Sequence, residues 1–296
     1  MTAGVIHDLG YRRYDGPRLG RAAIIRALTW HSLRSAFGLG RGARAKIVPV
    51  LTFVIMCLPA VVNAVSAARS GHRLIPYDAY VFRLRALVMT IFVAAQAPEL
   101  VSRDLRSHVL PLYLSRPLRR LDYPLAKYAA FTAACLLMIE IPLLLLYLGT
   151  IVGAGGGAAV WEQTRALIPG LLIGALWSVL LAAVALVIAS STGRRAYATG
   201  AIAIYFFLTW VLASILIGVG GGPAGPAGAA SLAARLAGLI SPLTVLEGVR
   251  QWLGGTSFSP VPPPGSLGWA YGVMLLALLA ASLGGLAARY RKAGLS

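Results

Sequence analysis

Charged residues are scarce in this chain, and acidic residues are the scarcest. Only 12% of the 296 residues are charged, with nine aspartates and glutamates in total, whereas hydrophobic residues make up 58%. A soluble globular domain has about twice that charged fraction. The composition therefore argues against a soluble domain, and it predicts an all-α integral membrane protein because helices satisfy their own backbone hydrogen bonds in lipid.

The sequence also lacks the residues and motifs of common catalytic sites. Its two cysteines, Cys57 and Cys135, fall inside apolar runs, where they are small hydrophobic residues and predict neither a disulfide nor a metal site. The four histidines lie apart, at positions 7, 31, 72 and 108. G-x-x-x-x-G-K-[ST], G-x-S-x-G, H-E-x-x-H and C-x-x-C are all missing. We therefore expect no catalytic residue, no metal and no cofactor in this chain.

Six apolar segments have the length of about 20 residues that a helix needs to cross a bilayer. They cover residues 47–68, 79–98, 128–152, 166–190, 196–219 and 267–287. The second is the least regular, because it reaches full length only if Arg83 and Arg85 lie near its outer end. These arginines either snorkel to lipid headgroups or line an outer vestibule and attract anionic cargo or lipid.

The distribution of basic residues predicts the orientation of the spans. Placing both termini in the cytoplasm puts 20 of the 27 lysines and arginines there, as the positive-inside rule requires. The net charge of +18 is then mostly a topological signal. We expect no nucleic-acid partner, because no basic face interleaved with exposed aromatic residues remains to be explained.

Residues 1–46 are predicted to form a cytoplasmic arm ahead of the six-helix transmembrane domain at 47–296. The arm carries nine basic residues and no uninterrupted apolar core, so it does not look like a cleavable signal peptide. A helix is predicted over 19–37. It either rests on anionic membrane lipid or contacts a partner protein. Its apolar contacts would be Ile24, Ile25, Leu28, Trp30, Leu33 and Phe37.

The connection between the second and third spans, at 99–127, holds six basic residues and three prolines. The prolines prevent it from continuing either span, so we expect it in water. A start signal at Ser102 and a stop at Pro111 predict a helix of about nine residues followed by an extended basic strap. Such a helix suits docking on a soluble partner.

The predicted outer side carries a long connection at 220–266, between the fifth and sixth spans. Its ends are rich in glycine and proline, and its apolar middle is broken by Pro242. We expect two short helices here, interfacial or re-entrant. A seventh span would move the basic C-terminus outside, which the charge distribution disfavours.

Glu140 is the acidic residue closest to the middle of a predicted span. A carboxylate there costs a few kcal/mol unless it is protonated, paired or in a wet cavity. It either lines a pathway for polar or cationic cargo or protons, or is a protonated group bonded to a neighbouring helix. Two glycine pairs at four-residue spacing, 149 with 153 and 170 with 174, predict close packing of helices within the molecule.

Several of these motifs occur together in a known family. The arm YRRYDGPRLGR, the connection that begins with Glu99 and runs to SRPLRRLDYPLAK, and the predicted hairpin before the last span resemble those of membrane subunits of ATP-binding-cassette (ABC) transporters. The likeness is to the type-2 exporter class, particularly actinobacterial permeases, and covers essentially the whole chain. It implies that the 102–110 helix is a coupling helix that fits a groove on an ATPase, with Glu99 fixing its angle. The implied docking residues are Glu99, Ser102, Arg103, Asp104, Leu105, Arg106 and Leu110.

The resemblance also implies an assembly and a location. Two permease subunits, identical or different, would join two cytoplasmic ABC ATPase subunits in a bacterial inner membrane, with ATP and Mg²⁺ bound wholly by the ATPases. Glu140, Arg83 and Arg85 are candidates for the pathway. A secondary transporter and a membrane-embedded lipid-modifying enzyme are the alternatives, although we find neither inverted repeats nor a cluster of polar groups at one depth.

Overall fold

The computed structural model describes residues 16, 19–70, 74–80, 84–107, 113, 117–222, 231–255, 259 and 261–293. Over these residues the chain is helical and contains no strand. The helices are, in chain order, α1 (Arg21–Ala36), α2 (Ile47–Ser70), α3 (Leu84–Leu100), α4 (Ser102–Arg106), α5 (Asp122–Val152), α6 (Gly157–Ser190), α7 (Arg195–Val219), α8 (Leu232–Ala237), α9 (Pro242–Trp252) and α10 (Gly268–Ala293).

Six of these helices, α2, α3, α5, α6, α7 and α10, are long and apolar enough to cross a membrane. The predicted fold class is therefore confirmed, and the protein is a multi-pass membrane protein. Each helix overlaps one predicted apolar segment, because a run of apolar residues of bilayer length has no other way to satisfy its backbone in lipid.

The second span differs from its prediction at both ends. Its described part begins at Leu84 and not at residue 79, and residues 77–80 form a turn. The Tyr80 hydroxyl in this turn donates to the Met56 carbonyl of α2. The helix also continues past Pro98 to Leu100. Arg83 lies outside the described residues and the side chain of Arg85 is not described, so their roles stay predictions.

Helix α3 lies at the centre of the bundle. It packs against α2, α6 and α7, and its side chains Met89, Phe92 and Val93 are fully buried. By contrast, α2, α7 and α10 expose aliphatic residues such as Leu58 and Ile204, which are 58% and 63% exposed. An apolar outer surface around a packed centre is what a lipid environment requires.

The glycine pairs pack helices within the molecule, as predicted. A Cβ on Gly149 of α5 would lie 2.2 Å from the Ala64 Cβ of α2, and one on Gly153 would lie 2.7 Å from the Ala68 Cα. A Cβ on Gly174 of α6 would lie 2.4 Å from Glu140 Oε1 of α5. The missing side chains let these backbones approach closely.

Helix α1 confirms the predicted helix in the arm, and it packs against α5 and α3. Arg21 holds its first turn, because Nε and Nη2 donate to the two carboxylate oxygens of Asp122 at 2.7 and 2.5 Å. This hydrogen bond raises the pKa of Arg21 above its ordinary value. Leu28 is buried in the core, whereas Trp30 is 61% exposed. Among the predicted apolar contacts, Leu28 therefore belongs to the core of the bundle, whereas Trp30 faces outward.

The termini of several helices meet at one end of the bundle. The Arg289 guanidinium at the C-terminal end of α10 donates to the Ser190 carbonyl at the end of α6, at 3.2 Å. The rings of Tyr290 and Tyr123, at the start of α5, have centroids 5.3 Å apart. We call this end, which also holds α1, α4 and the start of α7, the basic end. It is the side predicted to be cytoplasmic.

The connection before the last span contains the two short helices predicted, α8 and α9. Ser231 and Ser241 cap them through side-chain oxygens, and Pro242 occupies the first turn of α9, where its missing N–H costs nothing. Residues 242–250 of α9 are all buried against α10, α7 and α6. The hairpin is therefore part of the bundle at the end opposite the basic end.

Candidate functional site

The Glu99 carboxylate joins three helices at the basic end. Its side chain is 7% exposed. Oε2 accepts a hydrogen bond from Arg41 Nη1 at 2.5 Å, and Oε1 pairs with Arg195. Arg41 lies just before α2, and Arg195 is the first residue of α7. The carboxylate at the end of α3 therefore fixes the starts of α2 and α7.

Arg41 is itself held in place before it reaches Glu99. Its Nη2 donates to Ser35 Oγ at 2.8 Å, so the guanidinium bridges the end of α1 and the end of α3. The bridging is possible because Gly38 and Gly40 adopt positive φ angles of 69° and 84° and turn the chain back after α1. The arm and the bundle are thus connected by an ion pair as well as by packing.

Helix α4 follows α3 after a single residue, Val101. The Ser102 hydroxyl donates to the Ala189 carbonyl of α6 at 2.8 Å. Asp104 accepts a hydrogen bond from the Tyr123 hydroxyl at 2.5 Å and pairs with Lys127 Nζ at 2.9 Å, both on α5. Side chains of α4 therefore bind α5 and α6 directly, while its backbone continues α3.

The helix predicted over 102–110 is shorter in the structure. Helix α4 has five residues, Ser102–Arg106, and Ser107 forms a turn. Leu110 lies outside the described residues, and the Arg103 side chain is not described. Ser102 is buried and Leu105 packs on the core, so the expectation that this whole segment lies in water is wrong for its first turn. Arg106 and Ser107 are exposed.

Glu140 lies near the middle of α5, as predicted, and is buried with 8% of its surface exposed. Among the described residues, neither of its carboxylate oxygens has a hydrogen-bond partner. The backbone of Gly174 on α6 lies against it. One of the two alternatives for Glu140, a protonated carboxyl bonded to a neighbouring helix, therefore finds no such bond among the described residues. No group of acidic, histidine or cysteine side chains in the described ranges could hold a metal ion.

A buried charge cluster at the opposite end was missed by the sequence analysis. Arg250 of α9 is 1% exposed and forms two hydrogen bonds with Glu247, from Nε at 3.0 Å and from Nη2 at 2.5 Å. Its Nη1 pairs with Asp78 in the connection between α2 and α3. Burial disfavours the Arg250 charge, but Glu247 and Asp78 outweigh it and raise the Arg250 pKa. The available signal was a Glu and an Arg three residues apart in an apolar hairpin.

We call Asp78, Glu247 and Arg250 the outer cluster. Arg250 and Asp78 also line a cavity of about 490 Å³, together with Pro169 and Leu172 of α6. The outer cluster joins the connection before α3 to the hairpin before α10. It is thus a polar contact between the two halves of the chain at that end.

No family model matches the sequence, and no curated protein matches it. The six helices that are long and apolar enough to cross a membrane suggest a membrane transport protein.

Proposed function

We propose that the chain is the permease subunit of an ABC exporter, driven by a separate ATPase through the 99–127 connection. A second permease subunit would complete the pathway, and the ATPase subunits would bind ATP and Mg²⁺. The motifs described above in the sequence motivate the proposal. Its structural support is the attachment of α4.

The observation that carries the proposal is that α4 contacts the bundle through fixed polar bonds. Val101 alone separates it from α3, Ser102 bonds to α6, and Asp104 bonds to α5. A force on the exposed side of α4 would therefore move three spanning helices together, with little slack to absorb it. Rigid-body movement of packed helices is a common way to open and close a pathway.

In the proposed cycle, the attachment of α4 transmits movement of the ATPase subunits to the bundle. Closure of the ATPase subunits on ATP would shift α4 and tilt α3 and α5, so that the pathway opens away from the basic end. Hydrolysis would reset the helices. The exposed aliphatic face of α7, with Leu208 and Ile215 at 60% and 57% exposure, leaves surface for the second permease subunit.

Arg106→Glu tests the docking step, because Arg106 is exposed at the end of α4 and forms no ion pair within the described residues. Reversing its charge should lower the affinity for the ATPase at least about tenfold while leaving membrane insertion intact. Co-purification of a candidate ATPase co-expressed with this chain would measure the loss. Arg291→Glu is the matched control, since Arg291 is exposed at the end of α10 and lies outside the 99–127 connection. Unchanged co-purification of the Arg106→Glu variant would contradict the proposal.

A further inference from the structure

We infer that a cavity at the basic end binds the phosphate of an anionic phospholipid. The cavity has a volume of about 880 Å³ and lies between the start of α2, the end of α3 and the start of α7. This volume is within the range of small-molecule sites. The inference goes beyond the proposed function, because it concerns a ligand that the chain would bind without any ATPase.

The charge of the lining favours an anion. Among the described residues, four guanidinium groups line the cavity, from Arg41, Arg44, Arg106 and Arg195, against one carboxylate, that of Glu99. Arg41 and Arg195 are held by Glu99, which positions them without neutralising both. Within the described ranges, Arg44 and Arg106 form no ion pair, and both are exposed. Planar guanidinium groups bind phosphate oxygens in pairs, so this arrangement suits a phosphate group.

Two helix starts add to the positive potential of the cavity. The helical run into α2 begins at Ala43, and α7 begins at Arg195; both residues line the cavity. Neither start has a side-chain cap, and neither has an acidic residue in its first turn. Free N–H groups and the helix dipole at such starts favour a negative charge, which here complements the arginines.

The surface next to the cavity favours a lipid over a soluble anion. Val48 of α2 lines the cavity, and Leu51 follows one turn deeper on the same side of the helix, with 55% of its surface exposed. Val54 and Leu58 continue the exposed aliphatic path at 47% and 58%. An acyl chain would lie along this path while its phosphate occupied the cavity. Basic pockets between spanning helices on the cytoplasmic side bind lipid headgroups in this way.

The test is a lipid titration of the purified, delipidated full chain in detergent, followed by native mass spectrometry. Phosphatidylglycerol should bind at least about tenfold more tightly than phosphatidylcholine with the same acyl chains. Arg44→Gln with Arg106→Gln should raise the Kd for phosphatidylglycerol about 10- to 30-fold, because each cation near an anionic lipid contributes about fivefold. Arg44→Gln alone should raise this Kd about fivefold. This single variant replaces the double variant in the test if the double variant does not fold.

The control removes the same charge elsewhere. Arg120→Gln with Arg291→Gln changes two exposed arginines, just before α5 and at the end of α10, that do not line the cavity. The Kd of this variant should stay within about threefold of the unchanged chain, as expected for surface charges outside the site. The inference would be overturned if the two double variants raised the Kd for phosphatidylglycerol equally, or if the cavity variant left this Kd unchanged. Displacement of the lipid by an equal concentration of inorganic phosphate would also overturn it, because the site would then be one for a free anion.

Discussion

Removing the Arg250 side chain should destabilise the protein strongly. Arg250 is 1% exposed and binds both Glu247, which is 1% exposed, and Asp78, which is 10% exposed. Arg250→Met would retain most of the apolar volume of the stem, because methionine is long and unbranched. It would remove the Arg250 cation from between two carboxylates in a buried site. The expected cost is that of breaking a buried ion pair by removing one partner, about 3–5 kcal/mol.

The cost can be measured by thermal unfolding of the detergent-solubilised chain. A loss of 3–5 kcal/mol corresponds to a fall in Tm of about 6–20 °C, at about 2–4 °C per kcal/mol. The triple variant Asp78→Asn, Glu247→Gln, Arg250→Met should regain most of this loss, since no buried charge is then uncompensated. Arg165→Met is the matched control, because Arg165 is exposed on α6 and its change should stay within about 0.5 kcal/mol.

Two results would refute this reasoning. A Tm for Arg250→Met within about 2 °C of the unchanged protein would mean that the two carboxylates find other compensation. A triple variant as unstable as Arg250→Met would mean that the loss comes from packing of the side chain and not from charge. In either case the outer cluster would not hold the hairpin through its ion pairs.

Two further variants probe the centre of the bundle. Gly149→Ala places a Cβ 2.2 Å from the Ala64 Cβ and should lower the stability measured by thermal unfolding by about 1–3 kcal/mol. Gly200→Ala, whose Cβ would have nothing within 4 Å, should leave the stability unchanged or raise it. Equal effects of the two variants would show that α2 and α5 are not in close contact. Glu140→Gln should leave the Tm nearly unchanged, because both carboxylate oxygens lack a hydrogen-bond partner among the described residues. If Glu140 lines the pathway, the same variant should lower transport by the reconstituted complex at least about tenfold. Equal losses of expression and transport would instead indicate a structural role for Glu140.

The structural features that depend on residues close together in the sequence could be predicted from it. The six spans, the arm helix and the paired helices on either side of Pro242 all follow from apolar length, charge runs and proline. The partners of the buried charges do not follow, because they are distant in sequence. Arg41 is 58 residues from Glu99, and Asp78 is 172 residues from Arg250. The burial of α4 was missed for the same reason, since it depends on bonds to α5 and α6.

The scarcity of acidic residues becomes informative once their positions are known. Five of the nine form ion pairs in the described residues, and each pair joins separate elements or stabilises a junction. Asp122 joins α1 to α5, Glu99 joins α2, α3 and α7, and Asp104 joins α4 to α5. Asp78 and Glu247 meet at Arg250 on the other side of the bundle. Ion pairs are thus concentrated at the two ends, and close apolar packing holds the middle.

The two ends differ in a way that bears on the proposed motion. At the basic end Glu99 has two cationic partners, whereas in the outer cluster one arginine serves two carboxylates. A pathway that opens away from the basic end must separate elements at the outer end while α4 stays attached to α3, α5 and α6. The outer cluster, in which Arg250 joins the hairpin to the connection before α3, is the contact that such an opening would break. The Arg250 variants therefore change the end expected to move, and the Arg106 variant changes the end expected to be driven.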